Sequence, residues 1–368
     1  MHQQLSVQNK SIPFGEATLH IATAPLLLKK SSSTQSRRVY DTEIEKNLQQ
    51  FAKNLQNKST EPLFQFLFGT HSNDSLLPQK WPLSFLQGDG SDETSPLSTQ
   101  ALALSGISPL PILDGTRVAG YHFETPDARY CILGNLHADH LTASRTDQAQ
   151  AVFEKMERLL QQADMNFTHT VRTWIYLRDL LDWYDEFNAV RTRFFQERGV
   201  FEKMVPASTG IGAFSPAGEA IETALIAIAP KNEQVQLTSI PSPLQCPAID
   251  YKSSFARAIE IAHPNSRILC ISGTASIAPE GETLYVGDCE KQIDLTMKVI
   301  HEILKSRKMD WSNTVRAIAY FKHAADIPLL EKYAREHHIP ALPVAIVHAA
   351  VCRDDLLFEM ELDAALPC

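Results

Sequence analysis

No apolar run in the 368 residues approaches the ~18–20 that a helix needs to cross a bilayer, which argues against a helical membrane protein. The opening stretch MHQQLSVQNKSIPFGEA has no apolar core of the kind a secretory signal needs, so a cytoplasmic location is expected. Positive charge is scarce: 34 Lys and Arg against 43 Asp and Glu leave a net charge of -9. A nucleic-acid partner needs a basic stripe to meet its phosphates, so none is expected. The six cysteines (131, 246, 270, 289, 352 and 368) form no CxxC pair and no disulfide-scaffold spacing, and so read as reduced thiols. No Walker loop occurs, and no glycine run sits in the strand–GxGxxG–helix setting of a dinucleotide site. His137-Ala-Asp-His140 offers two imidazoles without an evident third ligand, so no metal is expected. His337-His338 reads as a solvated helix end.

What the chain does have is an internal repeat. Asp147 to Tyr176 and Lys291 to Tyr320 align without a gap at an offset of 144 residues. Thr170-Val171-Arg172 meets Thr314-Val315-Arg316, and Tyr176 meets Tyr320. Near their ends the copies part: Ala224-Leu-Ile-Ala-Ile-Ala229 lies opposite Glu359-Met-Glu-Leu-Asp-Ala364, so acids enter one copy only.

Each copy carries the same order of elements. Apolar runs ending in glycine, Tyr130–Gly134 and Arg267–Gly273, read as strands entering a tight loop. Phe153, Met156, Leu159 and Leu160 recur at helical spacing, as do Ile293, Met297, Ile300 and Leu304. Alternating strands follow at 171–177 and 315–321, then helices at 183–198 and 327–336. Two strands close each copy, 206–213 and 221–229 in the first, 343–351 and 356–363 in the second. The fold class is therefore α+β: tandem units, each a mixed sheet with two helices on one face. The expected division is an N-terminal extension (1–115) packed on the first repeat, a first domain (116–230), a linker (231–250) and a second domain (251–368). Ser-, Gly- and Asp-rich stretches at 31–39 and 88–99 read as surface loops.

That order resembles the RidA/YjgF-like (chorismate mutase-like) fold across roughly 116–230 and 251–364. More narrowly, Arg172-Thr-Trp-Ile-Tyr176, Pro206-Ala-Ser-Thr-Gly-Ile-Gly-Ala213, Ile271-Ser-Gly-Thr-Ala-Ser-Ile277 and Cys352-Arg-Asp-Asp-Leu-Leu-Phe-Glu-Met-Glu361 resemble the chorismatases. That branch cleaves chorismate to pyruvate and a hydroxylated ring acid. Two departures stand out. The arginine on which RidA-type deaminases rely is replaced by Ser208 in one half and Val344 in the other, which disfavours imine hydrolysis by that route. The Tyr-Gly-Pro-containing loop typical before Phe255-Ala-Arg-Ala258 is shortened.

On the last strand Leu356, Phe358, Met360 and Leu362 point one way, toward the helices, and Glu359 and Glu361 the other. A carboxyl in a partly apolar cleft has a raised pKa and serves as a general acid, the role the resemblance implies for Glu359. The plain alternative is a solvated acidic face. Glu361 is expected to orient a neighbour. Cys352, with Gly273, resembles the combination of the 3-hydroxybenzoate-forming class, where Cys352 shapes the pocket or assists ring chemistry and Gly273 leaves room for the ring. A dicarboxylate substrate calls for guanidinium or ammonium partners, and Arg172, Arg191, Lys322 and Arg353 are the candidates. Thr209-Gly210-Ile-Gly212 is either an oxyanion cradle of backbone N–H groups or a tight turn. Tyr176 either caps the pocket or lies in the core.

The expected reaction needs no cofactor. The expected partners are a small carboxylate substrate and, because one sheet face must be covered, further copies in a homotrimer. The alternatives are a RidA-like hydrolase or deaminase of another enamine or carbonyl compound, and a non-catalytic binder of a small metabolite.

Overall fold

The computed structural model describes residues 7–14, 16–26, 60–70, 80–91, 95–251 and 253–368. The stretch 31–39 lies outside the described residues. Of 88–99, Gly88 ends one strand and Leu97 begins another, and residues 92–94 lie outside the described residues.

The chain opens with β1 (Gln8–Phe14), β2 (Ala17–Leu26), β3 (Glu61–Phe68), β4 (Leu83–Gly88) and β5 (Leu97–Ser105). Then come β6 (Leu110–Asp114), β7 (Arg117–Glu124), β8 (Ala128–Leu136), α1 (Arg145–Gln161), β9 (Thr170–Leu177), α2 (Tyr184–Glu197), the short α3 (Val200–Lys203), β10 (Ala207–Phe214) and β11 (Ile221–Pro230). The last group is β12 (Gln236–Ile240), β13 (Ala258–His263), β14 (Ser266–Ala275), α4 (Cys289–Ser306), β15 (Thr314–Phe321), α5 (Ile327–Glu336), β16 (Val344–His348) and β17 (Phe358–Pro367). The 231–250 segment is thus more than a linker, since β12 pairs with β13 as an edge strand.

The two repeated units start their long helices in the same way. The Ser144 side chain accepts from the Asp147 N–H at the start of α1, and Asp288 accepts from the Lys291 N–H at the start of α4. Such caps satisfy helix donors that have no partner within the helix. After each helix a single 3-10 turn closes on a side-chain box, Asn166 with His169 and Asp310 with Asn313. The apolar stripes then go under the sheet: Phe153, Met156, Leu159 and Leu160 in one unit, Ile293, Met297, Ile300 and Leu304 in the other. Full burial of each such side chain stabilises by roughly 1.5–3 kcal/mol.

Strand order overturns one expectation. The first five strands run β1-β2-β5-β3-β4, the next unit β7-β8-β11-β9-β10, and the last β13-β14-β17-β15-β16. In all three the fourth strand in the order (β3, β9, β15) pairs in parallel with the last and antiparallel with the third. The described residues up to Ser105 therefore form a sheet segment with the strand order of the two units that follow, rather than only a covering extension. Weak periodicity hid it, because its inner strands β3 and β5 are almost wholly buried on both faces: seven of the eight residues of β3 are buried.

The first two groups join through β4 and β10 into one 11-stranded sheet, the last forms a six-stranded sheet with β12, and the three groups cover one another. Phe64, Phe66 and Phe68 of β3, Trp174 and Tyr176 of β9, and Ile318 and Tyr320 of β15 belong to one buried cluster. Between units, β4 pairs with β10, and single bridges join Ala207 to Ala256 and Gly212 to Ala350. The sheet face expected to need further copies of the chain is covered inside one chain. Among the described residues no helix is long and apolar enough to cross a membrane.

Candidate active site

Pairing register shows which positions in the units correspond. Gln65 faces Leu83, Thr173 faces Ser208 and Ala317 faces Val344. On the closing strands Ser98 faces Phe68, Glu222 faces Tyr176 and Glu359 faces Tyr320. The residue matching Glu359 is therefore Glu222, not Ala224: the gapless alignment of the closing strands slips by two. The loops before these strands differ in length, which sequence matching could not place. Glu222 is also buried, and burial first, then the nearby Glu219 charge, holds its carboxyl well above the ordinary range.

A cavity of about 210 Å³ opens where the second unit meets the third. The α2 side chains Tyr184, Asp185, Asn188 and Arg191 form one wall, and Ser208 and Gly210 of β10 continue it. The third unit supplies Gly273 and Ala275 of β14, Ile277, Cys352, Arg353 and Glu359, while Ser253, Phe255 and Arg257 close it from the segment before β13.

Glu359 is only 4% exposed. Burial first, and the charge of Glu361 next, push its carboxyl from an ordinary 4.5 up to about 8, against the pull of Arg172 and Cys352. At neutral pH it holds a proton. The Cys352 thiol donates to Glu359 Oε2 at 3.9 Å, and burial followed by the Glu359 charge pushes the thiol far up. Cys352 is therefore a thiol at neutral pH, not a thiolate nucleophile. Burial likewise pushes Tyr184 up to about 12. A Cβ on Gly273 would sit 2.0 Å from Glu359 Oε1, so the bare backbone there makes room for the acid.

Glu361 has a different environment. Arg172 Nη2 donates to Glu361 Oε2 at 2.6 Å, Trp174 Nε1 donates to Oε1 at 2.8 Å, and Arg316 pairs with the same carboxylate. Burial alone would raise this carboxyl, but the two guanidiniums outweigh it and hold the group below its ordinary range. Two acids on one strand face are thus set apart, one ionised and one protonated, by two arginines that reach only the deeper one.

Several expected site residues fall elsewhere. Arg172 lies outside the cavity lining: it is fully buried, and it also donates to the Ile271 carbonyl at 2.8 Å and to Thr209 Oγ1 at 3.1 Å. Tyr176 is core, its hydroxyl 3.4 Å from that of Tyr320. Thr209 accepts from the Gly273 N–H at 3.1 Å and so ties β10 to β14. Gly212 lets strands approach, its N–H donating to the Ala350 carbonyl at 2.9 Å where a Cβ would meet Ala350 and Asp89. Neither residue forms an oxyanion cradle. Lys322 pairs with Asp354 at 2.7 Å and is not among the residues lining the cavity. Arg191, Arg353, Gly210, Gly273, Cys352 and Glu359 do line it.

Arg191 donates to Asn188 Oδ1 at 2.6 Å and to Ser253 Oγ at 3.3 Å. Arg353 donates to the Gly281 carbonyl at 2.7 Å. Sequence reasoning missed Tyr184 and Asn188, although with Arg191 they fall at i, i+4 and i+7 on one helix face. It also missed Arg257, within the very Phe255-Ala-Arg-Ala258 stretch that carries part of the likeness. Among the described residues no group of three or more His, Cys, Asp or Glu could hold a metal. Chemically the cavity offers a protonated carboxyl beside three guanidiniums, which is what a small anion awaiting a proton would meet.

Comparison with known proteins agrees with this reading of the fold. The family model described as Endoribonuclease L-PSP matches residues 134–229. A 3-hydroxybenzoate synthase of Streptomyces hygroscopicus is 26% identical over 247 residues, covering 60% of this chain and 70% of that protein. A chorismatase of Streptomyces rapamycinicus is 26% identical over 220 residues, covering 54% of this chain and 64% of its own length. A chorismatase crystal structure superposes with a TM-score of 0.62 at 19% identity, over 83% of this chain and 93% of that one. In sequence the chain is thus similar to a 3-hydroxybenzoate synthase and to chorismatases, and it shares the fold of a chorismatase.

Proposed function

We propose that this protein cleaves the enolpyruvyl ether of chorismate to pyruvate and a hydroxybenzoate of the 3-hydroxybenzoate type, with Glu359 as general acid. The observation that carries the proposal is a sheltered carboxyl that holds its proton to about pH 8 at the wall of a cavity with three arginines. Glu359 gives its proton to the methylene carbon of the enolpyruvyl group, and the bond from ring C3 to the ether oxygen breaks, its electron pair completing the release of pyruvate. The ring 4-hydroxyl oxygen bridges to C3, and the C4–O bond then opens. Loss of the C3 hydrogen as a proton makes the ring aromatic and restores the Glu359 proton. Pyruvate and hydroxybenzoate together contain every atom of chorismate, so no co-reactant or cofactor is required. Arg191 and Arg353 face the two substrate carboxylates, and Arg257 stands in the wall behind them. Gly273 leaves space beside the acid, and Cys352 shapes the ring pocket as a thiol. Glu361 acts through Glu359, its fixed negative charge keeping the neighbouring proton in place.

Incubating the pure protein with chorismate should release pyruvate and 3-hydroxybenzoate in equal amounts. Failure to release pyruvate would sink the reading. Ammonia from 2-aminoacrylate would turn the assignment to a RidA-like deaminase, although Ser208 at the arginine position speaks against it.

Arg191→Gln provides a second check. Loss of one charge-assisted contact to a substrate carboxylate is worth about 1.5–3 kcal/mol, so KM should rise tenfold or more, by about that energy, while kcat changes less. An unchanged KM would remove Arg191 from substrate binding.

A further inference from the structure

A second cavity, of about 460 Å³, lies on the far side of Phe255 and Arg257, which line both it and the catalytic one. Its walls are mostly apolar. Phe201, Met204 and Val205 come from α3 and the residues after it, Leu237 and Ile240 from the edge strand β12, and Ile249 from the turn that follows. Two charged side chains are among the described residues lining it, Lys203 and Arg257, and both are cations. Arg257 is 4% exposed, so its charge stands at the inner end of the hollow. Its guanidinium is held in place by Nε and Nη2 donating to the Cys246 carbonyl at 2.9 and 2.8 Å, with its centre 5.5 Å from the Phe255 ring centroid. Lys203 is exposed at the outer end.

An apolar hollow of this size with a few placed polar groups is the usual form of a small-molecule site. Cations at its ends select an anion, and the Phe201 and Phe255 rings favour a flat aromatic one. We propose that this cavity is a separate binding site for a small aromatic monocarboxylate. The ring lies between Phe201, Met204, Leu237 and Ile240, and the carboxylate faces Arg257. The proposal does not depend on which reaction the catalytic cavity performs, because the site is defined by its own walls and charges.

Calorimetric titration of benzoate into the full chain tests it, and no turnover is needed. Saturable binding is expected. Leu237→Trp fills the hollow, and Lys203→Glu reverses the charge at its mouth without touching the core. Each should weaken benzoate binding about tenfold or more, equivalent to about 1.4 kcal/mol. Glu359→Gln and Tyr184→Phe, on the other side of the Phe255–Arg257 wall, should leave it within about twofold. Three results would overturn the proposal: no saturable binding, loss of binding in the two catalytic-cavity variants with retention in Leu237→Trp, or cyclohexanecarboxylate binding as tightly as benzoate.

Discussion

On the proposed mechanism, Glu359→Gln should lower pyruvate release from chorismate by about a hundredfold or more, the usual scale of a positioned general acid. Gln keeps the shape and the hydrogen-bonding reach of the side chain but has no proton to give, so KM should move far less than kcat. The pH dependence of the unmodified protein follows from the same group. Below about 8 the carboxyl is protonated and active, and above it kcat should fall about tenfold per pH unit. The Gln variant should lack that descending limb in whatever activity remains.

Stability has the matching sign. The folded value of about 8 exceeds the ordinary 4.5, so the native state keeps a proton that the unfolded chain releases between those values. The contribution of Glu359 is full below about 4.5 and is lost as pH rises toward about 8. Across that window Glu359→Gln should therefore become progressively more stable relative to the parent, by chemical denaturation at a series of pH values. A parent and variant that keep a constant difference from pH 5 to pH 8, roughly either side of these values, would contradict a raised carboxyl.

The second large effect concerns a residue that sequence reasoning placed at the substrate. Arg172→Met should destabilise the fold by about 3–5 kcal/mol, because it leaves the fully buried Glu361 carboxylate short of a counter-charge. The cost shows in the denaturant midpoint. Adding Glu361→Gln to Arg172→Met should recover part of the loss, since the charge left behind is then gone. Were Arg172 instead a substrate ligand, the single variant would unfold at the parent midpoint and show only a raised KM.

The sequence showed the architecture of two thirds of the chain because their strands and helices keep a legible period: Phe153 to Leu160 and Ile293 to Leu304 lie on one helical face each. The first sheet was hidden for the opposite reason. Residues such as Leu63 to Phe68 are buried throughout and carry no alternation. At the site, alternation separated Glu359 and Glu361 from Phe358, Met360 and Leu362, and the structure keeps that division. Leu356, before the strand, packs instead with Ala275, Ile277 and Val351, and Leu357 takes the helix side. What alternation cannot say is which arginine meets which acid. Arg172 and Arg191 look alike in sequence, yet one lies in a strand at the inner face and reaches Glu361, while the other lies on α2 and faces the cavity. Likewise Glu222 was missed because its equivalence to Glu359 is a matter of pairing register, not of spacing along the chain.

The most direct test is an infrared titration of the parent protein against Glu359→Gln, following the carbonyl band of a protonated carboxylic acid. The account predicts one protonated carboxyl in the difference spectrum that persists past neutrality and disappears with a midpoint near pH 8. A Glu359 that is ionised already in mildly acidic buffer would contradict it, and would leave the cavity without its acid.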